Sequence, residues 1–235
     1  MELKYSLSSK IGSGSYGEVW EAVSNSTGKK VALKIQKKNV LNTLKYEAKV
    51  LLALKGTTCV PPIYSVGKTL DGRNYVAMKL YDRPLMPTAN LEKWRFYVSG
   101  TFDALWSLHS IGYVHRDVKP ENFMMDTTND KTSLVLIDLG MAVPMCKGGV
   151  KCHGDIGTSK YMASDVGVTN VYGYKSDWES WILTCISLFN RHREEYELSF
   201  DCNSVEDLLA EVRSLNIDCR LPNKHLLTRA LSLVC

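Results

Sequence analysis

Residues 115–122 read His-Arg-Asp-Val-Lys-Pro-Glu-Asn, a run of charged and amide side chains whose spacing has a chemical meaning. Asp117 can accept the proton of a hydroxyl nucleophile, and Asn122 can hold a metal ion on a phosphate chain. Lys119, two residues after Asp117, can contact a phosphoryl group during transfer. The stretch therefore indicates phosphoryl-transfer chemistry.

A second motif, Asp-Leu-Gly at residues 138–140, ends the apolar run Leu-Val-Leu-Ile at residues 134–137. Asp138 lies 21 residues after Asp117. A carboxylate at the end of such a run can hold a metal ion that bridges phosphates. Asn122 and Asp138 are therefore the candidate ligands of Mg²⁺.

Toward the N-terminus, the pattern G-x-G-x-x-G-x-V at residues 12–19 ends 15 residues before Lys34. Its glycines allow the backbone to approach phosphates, and its valine can pack against the base of a nucleotide. A second strand and then Val-Ala-Leu-Lys at residues 31–34 follow, not the strand and helix of a dinucleotide-binding unit. The residues of this candidate nucleotide loop are Gly12, Gly14, Gly17 and Val19.

The strand predicted over residues 31–35 places Lys34 on an inner face. Because side chains alternate along a strand, Ala32 and Lys34 share one face and the larger apolar side chains share the other. A lysine that follows a small alanine on an inner face is a candidate partner for a buried acid.

The candidate acid is Glu47, in a helix predicted over residues 43–54. It lies beside the apolar stripe of that helix, where a lone carboxylate is costly unless it is paired. Two interpretations are open at this point: Glu47 pairs with Lys34, or it lies at an edge with its charged head in water. The apolar stripe consists of Leu44, Ala48, Leu51 and Leu52.

Turn signals divide the first 80 residues into short strands. Asn-Ser-Thr-Gly at residues 25–28 and Asp-Gly at residues 71–72 separate β-branched runs, which predicts a small antiparallel sheet. After Pro87, apolar residues recur at spacings of three and four, which predicts a long helix leading to His115. The apolar face of that helix contains Leu91, Trp94, Val98, Phe102, Leu105 and Leu108. The fold class is therefore α+β.

The composition fits one compact domain. With 235 residues, 45% hydrophobic and 23% charged, the chain is neither a disordered tail nor a rod. The net charge of +4 is too small to indicate nucleic-acid binding by itself. The seven cysteines are scattered without a C-x-x-C pair, as is typical of a reducing compartment, and no segment has the apolar length that a bilayer requires. We therefore expect an intracellular protein without a membrane span.

Taken in order from Ile11 to Asn190, these motifs resemble the eukaryotic protein kinase family. The glycine loop, Val-Ala-Leu-Lys, the helix glutamate, His-Arg-Asp and Asp-Leu-Gly occur in the family's order. The resemblance implies a bilobal fold in one domain over residues 1–235, with a small antiparallel-sheet lobe and one helix over about residues 1–80 and a mainly helical lobe over about residues 81–235. It also implies that Lys34 pairs with Glu47.

By this resemblance, ATP lies between the lobes, Mg²⁺ lies on Asn122 and Asp138, and Asp117 serves a hydroxyl of a protein substrate. Leu139 replaces the phenylalanine that is usual in the family, and a side chain of that size still permits activity. Met78 guards the back of the pocket. The residues implied around the nucleotide are Ile11, Gly12, Gly14, Gly17, Val19, Ala32, Lys34, Met78 and Met124.

Within the family, the catalytic stretch is similar to the serine/threonine type. Residues 163–165 read Ala-Ser-Asp where most kinases have Ala-Pro-Glu, and residues 176–180 read Ser-Asp-Trp-Glu-Ser. Both features resemble the casein kinase one group, which includes the vaccinia-related kinases. The C-terminal lobe is expected to be shortened after Asn190. Asp165 needs a partner if it is to hold the activation segment in place. That partner is Arg220, unless Arg220 is an exposed tail residue.

A buried helix is predicted from a capping box of Ser176 and Glu179, followed by the apolar run 181–189. Asp177 has two compatible interpretations. It is an acid at a helix N-terminus, or, as the resemblance implies, it binds the backbone of the catalytic stretch around His115.

The activation segment offers no hydroxyl residue over residues 145–153, and its hydroxyl groups cluster near its end, at Thr158 and beyond. We therefore expect activity without phosphorylation of this segment. Its basic residues are interpreted either as an anion site that favours acidic or already phosphorylated substrates, or as a solvated basic loop. They are Arg116, Lys147, Lys151 and Lys160.

Two other functions are compatible with parts of the pattern. A pseudokinase scaffold would keep the fold without transfer, and a small-molecule kinase would use a related fold on another substrate class. The complete polar set argues against the first, and the run Lys-Pro-Glu-Asn at residues 119–122 argues against the second.

Overall fold

The computed structural model describes residues 4–40, 43–128, 131–152, 156–163 and 166–189. The predictions on Asp165, on Arg220 and on the shortened region after Asn190 lie outside these residues. Within them, a five-stranded sheet with one helix is followed by a mainly helical part.

The sheet is antiparallel throughout, in the order β1-β2-β3-β5-β4. Both predicted turns are present, with Gly28 at φ 68° between β2 and β3 and Gly72 at φ 84° between β4 and β5. A positive φ costs a glycine nothing, so these two residues allow the tight reversals. The strands are β1 (Tyr5–Ser13), β2 (Gly17–Ser24), β3 (Lys30–Gln36), β4 (Ile63–Lys68) and β5 (Asn74–Met78).

Helix α1 (Thr43–Ala53) packs on this sheet and buries Glu47 together with its apolar stripe. The prediction for Leu52 was wrong, because this side chain is 50% exposed. One residue advances an α-helix by about 100°, so Leu52 turns away from the sheet, while Val50 is buried.

Helix α2 (Leu91–Ser110) is the predicted long helix. It begins after Asn90, whose side chain accepts a hydrogen bond from the backbone N–H of Lys93 at 2.8 Å. The predicted face is buried except at Leu91, which lies in the first turn and remains partly exposed.

Helix α4 (Tyr174–Ser187) crosses α2 in the core, where Trp178 and Trp181 contact Phe102 at ring-centroid distances of 5.0 and 5.7 Å. The helix is buried as predicted, but the predicted capping box was wrong. The helix begins two residues earlier, after Gly173, and the Ser176 hydroxyl accepts the Gly173 N–H at 3.1 Å from inside the first turn.

Short elements hold the two polar motifs between these helices. Strand β6 (Tyr113–Val114) pairs with β9 (Val143–Pro144), β7 (Phe123–Thr128) with β8 (Lys131–Leu136), and β10 (Val150–Lys151) with β11 (Val171–Tyr172). Two 3₁₀ turns, Pro120–Asn122 and Ser159–Tyr161, and the short helix α3 (Val166–Thr169) complete the described elements. None of the helices in the described ranges combines the length and hydropathy needed to cross a bilayer.

Candidate active site

Lys34 joins the sheet, helix α1 and the Asp-Leu-Gly motif. Its Nζ lies 2.8 Å from Glu47 Oε2 and 2.6 Å from Asp138 Oδ1. The ion pair with Glu47, one of two interpretations that the periodicity left open and the one that the resemblance implied, is confirmed. Glu47 is 2% exposed and Lys34 14%, whereas Asp138 is 52% exposed, so the group is buried on the helix side and open at Asp138.

The charges of this group stabilise one another. Burial disfavours the ammonium form of Lys34, but the Glu47 and Asp138 carboxylates outweigh it and raise the Lys34 pKa above its ordinary value. For Asp138, partial burial opposes ionisation, yet the nearby ammonium and the Gly140 N–H lower its pKa. Lys34 and Asp138 are therefore held in the charged state that phosphate and metal binding require, whereas burial raises the pKa of the Glu47 carboxyl despite the nearby ammonium.

The Asp-Leu-Gly motif fits closely around this group. A Cβ at position 140 would lie 3.1 Å from Asp138 Oδ1 and 3.4 Å from Glu47 Oε2, so glycine leaves room for the carboxylates. Leu139 is buried in the same apolar cluster as α1, and its backbone N–H binds the Glu47 carboxylate. The leucine thus takes the place of the usual phenylalanine within the core, and its backbone reaches the helix of Glu47.

Asp117 lies at the centre of a second polar group. Its Oδ1 accepts the Thr158 hydroxyl at 2.7 Å, and its Oδ2 lies 2.8 Å from Lys119 Nζ. Lys119 Nζ also donates to the Thr158 hydroxyl at 2.8 Å. The structure therefore brings together the predicted base, the predicted cation and the end of the activation segment.

Asn122 connects the two polar groups. Its side-chain amide nitrogen donates to the backbone carbonyl of Asp117 at 2.7 Å, and its backbone carbonyl accepts the N–H of Ile137, the residue before Asp138, at 2.8 Å. With the nitrogen turned inward, the amide oxygen is the atom suited to a metal, and Mg²⁺ prefers oxygen ligands. The residues present fit Mg²⁺.

In the part of the chain that the structure describes, no group of three or more histidine, cysteine or acidic side chains is arranged as a metal cage. Kinase-type Mg²⁺ is held by one or two carboxylates together with substrate phosphates, so a site of Asn122 and Asp138 needs no such cage.

Asp177 anchors the backbone of the catalytic stretch from helix α4. Its carboxylate accepts the N–H groups of His115 at 2.6 Å and Arg116 at 2.8 Å, which confirms the hydrogen bonds that the resemblance implied. These bonds hold Arg116 at φ 71°, a conformation that is costly for a residue with a side chain.

His109 is a further partner of Asp177 that the motif reading missed, with Nε2 2.8 Å from Oδ2. A signal existed: His109 follows Leu105 by four residues, so the α2 periodicity places it on the buried face. His115 is also buried, its Nδ1 accepts the Asp117 N–H at 3.2 Å, and burial lowers its pKa.

The side chain of Arg116 makes contacts within the protein. Its guanidinium donates to the Met141 carbonyl at 2.7 Å and to Cys152 Sγ at 2.8 Å, and it lies over the Tyr172 ring. These contacts connect the catalytic stretch to the start and the middle of the activation segment and to Tyr172 beyond it. The predicted meeting of Arg116 with Lys147, Lys151 and Lys160 on an anion remains a prediction.

Gly157 brings the activation segment against the catalytic stretch. Its φ is 99°, and a Cβ there would lie 2.6 Å from the Arg116 carbonyl oxygen. Only glycine accommodates both the conformation and the approach. The next residue, Thr158, is thereby placed on Asp117.

The predicted nucleotide residues lie along the inner strands and at β7. Ala32 pairs with Met78 across the sheet and Val19 pairs with Lys34, so these four are neighbours. Gly17 lies close to the Lys34 side chain, because a Cβ built on the glycine would be 3.8 Å from Lys34 Cε. The remaining members are placed as follows: Ile11, Gly12 and Gly14 at the exposed β1–β2 hairpin, and Met124, half-buried, bridged to Pro84. Their roles toward a nucleotide remain predictions.

The glycine hairpin also has a partner that no motif identified. Lys37 Nζ donates to the Gly14 carbonyl at 2.7 Å. A contact of this kind, between a side chain and a single backbone oxygen, produces no periodic pattern in a sequence and cannot be predicted from one.

Comparison with known proteins agrees with this geometry. The family described as the protein kinase domain matches residues 5–213. The chain therefore belongs to the protein kinase family, and the bilobal α+β fold predicted from its motifs is confirmed.

Among curated proteins, the chain is similar to Rho-associated protein kinase 1 of rabbit, mouse and human. Each is 31% identical over 198 residues, which is 75% of this chain and 14% of the relative. The chain thus corresponds to a small part of those longer proteins.

Proposed function

We propose that the chain is an ATP-dependent serine/threonine protein kinase that transfers the γ-phosphoryl group of ATP to protein hydroxyls. The observation that carries this proposal is the contact of Lys34 with both Glu47 and Asp138, because it assembles cation, helix acid and metal-binding acid in one site. Phosphoryl transfer needs positioning and charge more than covalent chemistry.

Asp117 is placed to act as the base. It already accepts a hydrogen bond from one hydroxyl, that of Thr158 at 2.7 Å, and a substrate serine or threonine presents the same donor. Lys119, 2.8 Å from Asp117, supplies positive charge beside the acceptor oxygen. In this mechanism Asp117 takes the hydroxyl proton while Lys119 stabilises charge that develops on the transferred group.

The nucleotide side is served by Lys34, Asn122 and Asp138. Mg²⁺, when bound by the amide of Asn122 and the carboxylate of Asp138, neutralises charge on the phosphates. Lys34 stays protonated because its two carboxylate neighbours raise its pKa, so it can bind phosphate oxygens at neutral pH.

Offering labelled ATP and Mg²⁺ with serine, threonine and tyrosine peptides, and separately with small alcohols, distinguishes the candidate functions. We expect label on serine or threonine peptides. Label on small alcohols alone would favour the small-molecule kinase, and nucleotide binding without transfer to any acceptor would favour the pseudokinase scaffold.

We also propose that the activation segment needs no phosphate. The Arg116 guanidinium is already occupied by the Met141 carbonyl and Cys152, and no hydroxyl residue occurs over residues 145–153. Protein treated with phosphatase should keep its activity. Loss of activity on treatment, restored by rephosphorylation, would refute this proposal.

For substrates, we propose a preference for acidic or already phosphorylated sequences and a place in the casein kinase one group. Support for the substrate preference comes from the exposed cations of the activation segment, Lys147, Lys151 and Lys160, and support for the group comes from the sequences Ala-Ser-Asp at residues 163–165 and Ser-Asp-Trp-Glu-Ser at residues 176–180. Peptides with and without an upstream phosphoserine should differ in KM, and the charge reversals Lys151→Glu and Lys160→Glu should remove the difference. Equal KM values for both peptides would favour a merely solvated basic loop.

We further propose that residues 1–235 form a single kinase domain that works inside the cell. The described cysteines are free thiols, which supports a reducing compartment. Limited proteolysis that releases no stable fragment, and a reporter fusion located in the cytoplasm or nucleus, would support both statements.

A further inference from the structure

Lys37 makes two contacts with the tip of the glycine-rich hairpin. Its side-chain Nζ donates to the Gly14 carbonyl at 2.7 Å, and its backbone N–H donates to the Tyr16 carbonyl at 3.0 Å. The hairpin closes on itself through the Gly14 N–H and the Gly17 carbonyl, at 2.9 Å. The Lys37 side chain thus adds a contact at the tip to the backbone bonds of the hairpin and to the Lys10–Glu18 ion pair, at 2.6 Å, between β1 and β2.

The position of Lys37 is itself fixed by its neighbours. Gln36, the residue before it, donates to the Val40 carbonyl at 3.2 Å and accepts from Asn74 at 2.9 Å. Strand β3 therefore ends in an ordered turn, and the Lys37 side chain leaves that turn from a defined point.

The contact sets the direction of one peptide group. In a trans peptide the C=O and N–H point in opposite directions, so a Gly14 carbonyl directed at Lys37 turns the Ser15 N–H away from it. Backbone N–H groups of a glycine-rich loop are the donors that bind phosphates. Holding the carbonyl on one side thus orients a potential phosphate donor before the nucleotide arrives.

We propose that Lys37 is a positioning residue for ATP, which holds the glycine-rich hairpin in its binding shape through the Gly14 carbonyl. This inference rests on the proposed kinase function. Preorganising a loop increases affinity because the ordering cost is removed from the binding step. Loss of the contact should therefore raise KM for ATP more than it lowers kcat.

Lys38 is a matched control, since it is the next residue and is 69% exposed, with its Nζ 3.6 Å from Asp71. The variants are Lys37→Met, which keeps the length and removes the donor, Lys37→Arg, which keeps the charge and the donors, and Lys38→Met. The first readout is amide hydrogen exchange of residues 13–17 in nucleotide-free protein, and the second is KM for ATP and kcat with a serine peptide.

We expect Lys37→Met to speed exchange in the hairpin and to raise KM by about three- to tenfold with kcat retained. Lys37→Arg should restore both, and Lys38→Met should leave both unchanged. Unchanged exchange and KM in Lys37→Met would overturn the inference, as would faster exchange with an unchanged KM. If the wild type transfers no phosphate, the kinase proposal fails, and the exchange measurement alone still decides whether Lys37 holds the hairpin.

Discussion

The single ammonium group of Lys34 contacts two carboxyl groups, those of Glu47 and Asp138. When both are ionised, the group has one net negative charge. Asp138 lies on the open side of the group, where a divalent cation with its phosphates can approach. Glu47 lies on the closed side, where Lys34 at 2.8 Å and the Leu139 N–H offset the cost of burying its carboxylate. The arrangement supports the proposed metal site, in which the buried acid would orient the lysine and the exposed acid would hold the metal.

Replacing Lys34 by methionine should lower kcat/KM for peptide phosphorylation by at least about 10²-fold, because a positioned charge on the phosphates is lost. Lys30→Met is the control. Lys30 lies in the same strand but pairs with Glu21 in solvent, at 2.8 Å. Steady-state kinetics with folding checked by circular dichroism would decide, and a Lys34→Met protein as active as Lys30→Met would contradict the role given to Lys34.

The stability of the protein should fall in mildly acidic solution because of His115. Burial lowers its folded-state pKa below the ordinary value of 6.5, so the folded protein keeps this ring neutral. Below pH 6.5 the unfolded chain gains a proton that the folded chain does not, and the contribution of His115, present above that pH, is lost as pH falls.

Urea unfolding at pH 7.5 and pH 5.5 measures this effect. The slope from one such group is limited to about 1.4 kcal/mol per pH unit. His115→Asn should flatten the pH dependence over this interval. A wild type whose unfolding free energy rises between pH 7 and pH 5.5 would be inconsistent with a neutral buried His115.

Between single residues, the sequence predicts those contacts that follow from strand or helix periodicity. Lys34 and Glu47 each lie on a periodic element, which made them candidates for a pair, and the family resemblance favoured the pair over an exposed Glu47. His109 followed the same rule and needed only a wider reading of the α2 pattern. Lys37 is different, because its partner is a backbone oxygen set by a turn, and turn geometry depends on contacts such as that between Gln36 and Asn74.

Among the elements, α4 and the activation segment together shape the catalytic stretch. Asp177 holds the stretch from one side, and Gly157 allows the activation segment to touch it from the other. The burial of α4 could be predicted from its all-round apolar sequence, but its starting residue could not. Gly173 and Ser176 both suit a helix start, and the helix uses Gly173, whose N–H binds the Ser176 hydroxyl.

Gly157→Ala should reduce activity strongly, because the new Cβ would lie 2.6 Å from the Arg116 carbonyl and push Thr158 off Asp117. Gly148 is a matched control in the same segment, since it also has a positive φ, 87°, but a Cβ there meets no atom within 4 Å. Both variants carry the same backbone strain, of order 1 kcal/mol. Only Gly157→Ala is expected to lower kcat by more than about tenfold, and equal kcat values in the two variants would contradict the contact.

For the whole molecule, the site depends on how the two lobes meet. The backbone N–H of Leu136 binds the Cys59 carbonyl at 2.8 Å, and Lys79 binds the Asp126 carboxylate at 2.7 Å. These contacts join the sheet lobe to the β7–β8 hairpin that carries Asn122 and Asp138 at its ends. Motif order predicted the family and both lobes, whereas these joining contacts could not be predicted, because they pair residues with no shared pattern.

The most direct measurement is kcat for transfer of labelled phosphate from ATP to a serine peptide by the wild type and by Asp117→Asn. Asparagine keeps the size of the side chain but cannot take the hydroxyl proton, so kcat should fall by about 10²- to 10⁴-fold. Asp103→Asn, a change at an exposed position of α2, should retain wild-type kcat. Equal kcat values for the wild type and Asp117→Asn, or no transfer by the wild type, would contradict an assembled phosphotransfer site centred on Asp117.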